Sequence, residues 1–504
     1  MKVTLFALAL LAAAFTAATG ARAQNLQAIQ TVVVIYAENR SFDNLYGRFP
    51  GANGLQNVTP EMAQRDRDGS VLAELPPVWG RLTAKSVKPE IPQDRTAHLA
   101  NKAFAIDDPS GFNLPLSVTT RDLWHRFYEN QMQIDGGKND KFVAYADSGA
   151  LVMGNYDGSK LPMWKVAQKY TLADNFFMGH FGGSFSNHFE LACACTPYYP
   201  NADQSPAKGS ISMVEPDGVT LTPAPDGPKS ALQGVPKFAN SGNLSPDFYA
   251  INTMQPPYQP SAVPPPKGGD ERLADRASDK TLPPQHAITI GDLLSLKGVS
   301  WAWYAGGWQV ALSGEPKKVE FQFHHQPYNY FANYAPGTKA REEHIRDGGL
   351  NGAGFIKAID EGKLPQVTFY KPQGSLNEHA GYADVLAGDE HLADLIAHLE
   401  KSPQWPHMLV VVTYDENGGF WDHAAPPKAD RWGPGTRIPA IIVSPFAKKG
   451  YVDHTLYDTT SILRFITRRF ELPKLHGLIE RDEALKRNGE PPLGDLTEAL
   501  NLPR

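Results

Sequence analysis

Residues 31–51 read TVVVIYAENRSFDNLYGRFPG, and the order of residue types within them decides which fold to expect. A short β-branched and aromatic run, residues 31–36, passes almost directly into Glu38 and Asn39. A run without polar alternation is the mark of a strand covered on both faces, as in a parallel sheet between helix layers. In open sheets of that kind ligands gather beyond the carboxyl ends of the strands. An acid and an amide placed there are candidates for a site.

The same pattern recurs along the chain. Residues 299–304 (VSWAWY), 366–370 (QVTFY), 408–414 (MLVVVTY) and 438–444 (IPAIIVS) are short, mostly apolar and bounded by polar segments. Helix-patterned stretches at 163–169, 288–297, 390–401 and 459–469 alternate with them, so the expected class is α/β with a mostly parallel central sheet. Residues 203–285 break the pattern with runs such as TPAPDGPKS and PPYQPSAVPPPKGGDERL. They read as a loop-rich, Pro-rich insertion, parts of which pack down through Phe248, Tyr249 and Tyr258.

With 504 residues the chain is long enough for one large domain or two ordinary ones. A formal charge of -6, with both signs scattered evenly, leaves no basic stripe and argues against nucleic acid as a partner. Lys2, an apolar run over 3–18 and Ala21-Arg22-Ala23 read as a secretory leader cut after Ala23. The expected product is one domain over 24–504, periplasmic or secreted. No later stretch is long and apolar enough to span a membrane. Cys193 and Cys195, the two cysteines present, flank a single residue. They are read as packing residues or a labile bridge rather than as a metal half-site.

Asp415, Glu416 and Asn417 follow the run at 408–414 as Glu38 and Asn39 follow the first. Two strands thus deliver hard oxygen donors, which suit a divalent cation far better than they suit each other. MGHFGGSFSNHFE (178–190) supplies a candidate nucleophile, Ser184, after two glycines that let backbone approach a ligand. It is not a Gly-x-Ser-x-Gly elbow, because Ser186 stands where the last glycine would be. His125, His324, His325 and His379 lie in polar, aromatic-rich segments suited to acid–base work and phosphate contacts.

ENRSFDNLYG, the Gly-Gly-Ser-x-x-Asn-His turn, HHQPYNY, NEHAGY and TYDENGGFWDHAAPP together resemble the bacterial phospholipase C/acid phosphatase family of phosphoesterases, within the alkaline-phosphatase-like superfamily. The match runs from about residue 31 to 470. The resemblance implies an alkaline-phosphatase-like fold and one divalent ion, with calcium, magnesium, manganese and iron all open. Its ligands would be Glu38, Asn39, Asp415, Glu416 and Ser184. Ser184 would also be the nucleophile, passing through a phosphoseryl intermediate. His125, His325 and His379 would surround the phosphoryl oxygens or protonate the leaving group. His324, Lys138, Asn187 and His188 would be further substrate contacts. Asp422 and His423 match the motif without an assigned role. Serine at the nucleophile position and the His-His-Gln-Pro segment favour the acid phosphatase branch, with phosphate-ester small molecules or phospholipid head groups as partners. Phospholipase C or another phosphodiesterase is the runner-up. A sulfatase lacks its Cys/Ser-x-Pro-x-Arg signature here, and a non-catalytic binding protein would not need both acidic clusters and the serine.

Overall fold

The computed structural model describes residues 26–314 and 320–503. The leader expected over residues 1–23 lies outside the described residues. Eight strands form one sheet: β1 (Thr31–Ala37), β2 (Thr171–Ala173), β3 (Trp301–Ala305), β4 (Ile345–Asp347), β5 (Val367–Lys371), β6 (Met408–Tyr414), β7 (Ala440–Val443) and β8 (Tyr451–Asp453). Their order is β8-β2-β7-β6-β1-β5-β3-β4. All pairings are parallel except those of β7 with β6 and β2.

Every residue of β1, β3, β5, β6 and β7 is buried. Full burial on both faces is what the unbroken apolar runs required, and it removes the centre of the sheet from water entirely. The helices fall into two packed groups. α2 (Pro162–Lys169) lies against α5 (Val385–Lys401), while α3 (Ser184–Cys193) lies against α4 (Ile290–Leu296) and α6 (Thr459–Arg469). The expected α/β class and its mostly parallel sheet are borne out.

Helix starts differ from the pattern-based bounds because caps set them. Asp384 accepts from the Ala387 amide at 2.9 Å, so α5 begins five residues before the expected 390. Thr289 and Asp292 form a reciprocal capping box that opens α4.

Between residues 211 and 289 the chain forms neither helix nor extended strand, only isolated bridges. It nonetheless packs down: Leu244, Ile251, Met254 and Leu282 are buried. Arg67 fastens one lobe by donating to the carbonyls of Pro228, Ser230 and Gly234. Cys193 and Cys195 are joined in a disulfide across Ala194, which takes the left-handed conformation that ends α3. Of the two readings the sequence left open, the bridge is the one observed.

Candidate active site

The strand order places β5, β1 and β6 side by side, and all three run the same way. Their carboxyl ends therefore meet at one edge. Glu38 follows β1, Asp415 and Glu416 follow β6, and Lys371 closes β5. The loops are stitched together by backbone bonds, Asp415 N to Ala37 O at 3.0 Å and Arg40 N to Glu416 O at 3.0 Å. Asn39 turns the first loop with φ 64, a left-handed conformation that asparagine tolerates better than most residues. Gly418 passes so close beneath it that a Cβ there would sit 2.4 Å from Asn39 O.

Ser184 is the first residue of α3, not part of a bare turn as the sequence reading had it. The glycines before it are required by packing against the segment that carries His125. A Cβ on Gly182 would come 2.5 Å from Phe127 N, and one on Gly183 would come 2.7 Å from His125 O. This contact sets Ser184 Oγ at 3.3 Å from both Asn39 Oδ1 and Glu416 Oε1. Glu38, Asn39, Asp415 and Glu416 are wholly buried, and Ser184 is only 4% exposed.

Three buried carboxylates share this edge with one ammonium. Lys371 Nζ lies 3.0 Å from Glu38 Oε1 and 3.3 Å from Asp415 Oδ2. Burial, reinforced by the charge of Asp415, pushes the Glu416 carboxyl well above the usual range. Burial also raises Asp415, against the pull of Lys371. Burial works to raise Glu38 as well, but there His325 and Lys371 outweigh it and hold the carboxyl well below its ordinary value.

The histidines form two groups. His125 and His379 have ring centroids 5.5 Å apart, and each points Nδ1 at a backbone carbonyl, Leu123 O at 2.6 Å and Ala380 O at 2.5 Å. Those bonds fix the proton on Nδ1 and turn Nε2 toward the site, with His125 Nε2 3.8 Å from Glu416 Oε1. His188, His324 and His325 stack behind, with His188 and His325 centroids 5.5 Å apart and nearly parallel. Burial lowers all three, with Glu38 opposing the shift at His324 and His325. His325 Nε2 meets Glu38 Oε1 directly.

A cavity of ≈ 390 Å³ opens onto this arrangement, with Ser184, His125, His324 and His379 in its wall, closed on one side by Asn243 and Thr253 of the loop-rich insertion. A larger cavity of ≈ 870 Å³ contains none of these groups. The smaller one is where Ser184 and the two histidine groups meet open space.

Not every residue expected at the site is there. Lys138 lines the larger cavity instead, with its side chain 68% exposed and paired to Asp135 at 2.9 Å. Asn187 spends its amide on His180 and Gly183, holding the loop before α3. His188 lies under Ser184, its Nδ1–H donating to Ser184 O at 2.7 Å. Asp422 and His423 belong to a separate ion network with Asp43 and Arg437. Sequence reasoning missed Lys371, and also Asn377 and Tyr382, which donate to Glu38 Oε2 at 2.7 and 2.9 Å. The last two lie inside the NEHAGY stretch already singled out, so their signal was present.

The donor set fits a divalent cation. Asn39 Oδ1, Ser184 Oγ and Glu416 Oε1 converge with Asp415 nearby, all hard oxygens. The Asn39 amide nitrogen and His188 Nε2 are buried without hydrogen-bond partners. When ionised, the three carboxylates outnumber the one ammonium by two charges in a buried site, which the protein's own groups do not balance. Groups of side chains with metal-ligand spacing also occur at Glu38, His324 and His325, at Asp122, His125 and His379, and at Asp43, Asp422 and His423. Arg437 already fills the last of these.

The model of the Phosphoesterase family matches residues 29–473. The chain belongs to that family. As a member it is a phosphoric ester hydrolase, and the resemblance seen in the sequence is borne out. Phospholipase C A of Mycobacterium tuberculosis is 21% identical over 95% of this chain and 78% of its own length. The hemolytic phospholipase C of Pseudomonas aeruginosa is 23% identical over 95% of this chain and 57% of its own. Among solved structures, a protein of the alkaline phosphatase superfamily from Vibrio parahaemolyticus aligns with 65% of this chain and 64% of its own, at 10% identity and a TM-score of 0.28. Among the described residues no helix is long and apolar enough to cross a membrane.

Proposed function

We propose that the protein is an exported, metal-dependent phosphomonoesterase of the acid phosphatase branch, with Ser184 as a covalent nucleophile. One observation carries the reading. Ser184 Oγ faces a cavity while standing 3.3 Å from two buried oxygen donors that come from opposite ends of the sequence. Glu38, Asn39, Asp415, Glu416 and Ser184 are the residues that would hold a divalent cation. Such an ion, when bound, lowers the cost of ionising a hydroxyl and offsets charge building on the phosphoryl oxygens.

The residues do the rest. Ser184 passes its hydroxyl proton to Glu416 Oε1, 3.3 Å away, as Oγ attacks phosphorus, the bond to the ester oxygen breaks, and the leaving oxygen takes a proton from His379 or His125. Because Nδ1 of each is tied to a carbonyl, the donated proton must sit on Nε2, which requires the cationic ring. Water then attacks the phosphoserine, the same histidine accepts its proton, Glu416 returns a proton to Ser184 Oγ, and inorganic phosphate leaves. The leader over 1–23 and a single catalytic domain over 24–504, whose insertion shapes the leaving-group side of the cavity, belong to the same reading.

The names of the relatives favour a second reading, phospholipase C, which cleaves a diester. Turnover of p-nitrophenyl phosphate beside p-nitrophenylphosphorylcholine separates the two. Acid quenching during turnover of ³²P-labelled monoester is expected to leave phosphate on the peptide holding Ser184. Label on any other residue ends the proposal.

A further inference from the structure

We propose that Lys371 is a built-in second cation, so that this site takes one divalent ion and excludes another. The inference rests on the metal reading of the Ser184 site and goes beyond it to the number of ions and to the residue that sets that number.

The ammonium of Lys371 is wholly buried, with no exposed side-chain surface. It donates to Ala37 O at 3.2 Å and to Asp415 Oδ2 at 3.3 Å, and lies in ion-pair contact with Glu38 Oε1 at 3.0 Å. The nearby Tyr36 ring, 5.2 Å from Nζ, adds its π face. A point charge that joins one carboxylate from the β1 loop to one from the β6 loop occupies the place a bridging ion takes in two-ion phosphoryl-transfer sites.

The charges close on that count. Glu38, Asp415 and Glu416 carry three negative charges, Lys371 returns one, and the remaining two match a single divalent ion. That ion would sit on the other side of Asp415, where Asn39 Oδ1, Ser184 Oγ and Glu416 Oε1 remain open. A second divalent ion at the Lys371 position would meet the ammonium at contact distance and leave the cluster with excess positive charge. Topology makes the arrangement: Lys371 pairs with Ala305 of β3 on one side, and Tyr370 before it pairs with Ile35 of β1 on the other, so the lysine is trapped between neighbouring strands.

Metal content measured by native mass spectrometry and elemental analysis tests this. The wild-type protein, saturated with manganese, is expected to plateau at one ion per chain. A plateau of two in the wild type overturns the lysine's role and leaves the metal site standing. A plateau of zero overturns both. Lys371→Met removes the charge while keeping the bulk, and is expected to raise the plateau to two. Lys371→Gln, which keeps a donor toward Glu38, is read by the same rule should the methionine variant not fold. A plateau of one in either folded variant overturns the proposal. Lys371→Arg should stay at one. Independently of any variant, anomalous scattering from a manganese-loaded wild-type crystal should give no peak between Glu38 Oε1 and Asp415 Oδ2, and a peak there refutes it.

Discussion

Two buried acid clusters grow from the same two stretches of sequence, and they are finished in opposite ways. ENRSFD and DENGGFWDH supply Glu38, Asn39, Asp415 and Glu416 to the Ser184 site, and Asp43, Asp422 and His423 to a network behind it. In the network Arg437 donates to Asp422 Oδ1 at 2.9 Å, pairs with Asp43 Oδ1 at 3.2 Å and caps the carbonyls of Asn53 and Asp174 at 2.7 Å each. His423 bridges Asp43 at 2.6 Å and Asn53 at 2.9 Å. No side-chain atom of Asp43, Asp422, His423 or Arg437 is left buried without a partner, whereas Asn39, His188 and His325 all have such atoms. Buried charge closed by the protein's own cation holds the fold together. Buried charge left partly open is a receptor for something else.

The largest test of that contrast is Ser184→Ala. Turnover is expected to fall on the order of 10³-fold or more, with the melting temperature unchanged, because Ser184 Oγ bonds only to groups of the open cluster. An alanine variant retaining most of its kcat/KM would mean that water, not the serine, attacks. Arg437→Met should show the reverse. Removing one partner from a buried ion network costs about 3–5 kcal/mol of stability, and any surviving folded fraction should turn over at the normal rate. If instead stability holds and kcat falls, the two clusters are not separate.

A third buried group gives a pH signature. Glu190 on α3 faces Arg481 at 3.4 Å, and burial pushes its carboxyl up to about 8, while burial takes Asp389 to about 7. A carboxyl whose folded pKa lies above its unfolded one holds its proton more tightly when native. Its contribution is therefore present at low pH and is lost as pH rises toward the folded value. His180 and His391, lowered by burial to about 4, act in the other direction, losing their contribution as pH falls below 6.5. Between pH 6.5 and 8 the two lowered histidines no longer oppose the acids, so stability should drop there, by about 2 kcal/mol from Glu190. Denaturant titrations of Glu190→Gln should show a flatter slope, and an unchanged slope removes Glu190 as its source.

The smallest effect sharpens the comparison most. In metal-free protein at pH 8, Glu416→Gln should raise stability by roughly 1 kcal/mol, since burial and the neighbouring Asp415 already disfavour a carboxylate at this position. Asp422→Asn, in the closed network, should lower it. The Gln variant should also lose the rise in melting temperature that a divalent ion gives the wild type, and both read-outs come from thermal scans with and without chelator.

Much of this was legible in the sequence, for identifiable reasons. The central strands announce themselves because burial on both faces leaves no room for polar residues. β6 matches the expected span at both ends, and β1 extends it by one residue. Glu38 and Asp415 could be placed because they follow those strands directly. Lys371 could not, since a lysine ending a strand ordinarily reaches water, and only the β5-β1-β6 order encloses it. Lys138 went astray for the opposite reason. It is near His125 in sequence, but α1 (Phe127–Ile134) and a left-handed Asp135 carry it to a different cavity. Arg437 lay outside the quoted motifs, just before a strand, where nothing in the sequence marks a partner for Asp43.

β1 has a consequence for how the molecule is made. It is the first strand to be synthesised and lies at the middle of the sheet, between β5 and β6, whose first residues are Val367 and Met408. At about 5–20 residues per second, its two unsatisfied edges wait roughly tens of seconds for their partners. Throughout that interval it is a sticky apolar segment with open backbone donors and acceptors, the kind that pairs with the wrong neighbour. The nascent chain has no early half that could fold, or hydrolyse anything, on its own. Its window for aggregation, and for assistance by a chaperone, stays open until the last third of the polypeptide has emerged.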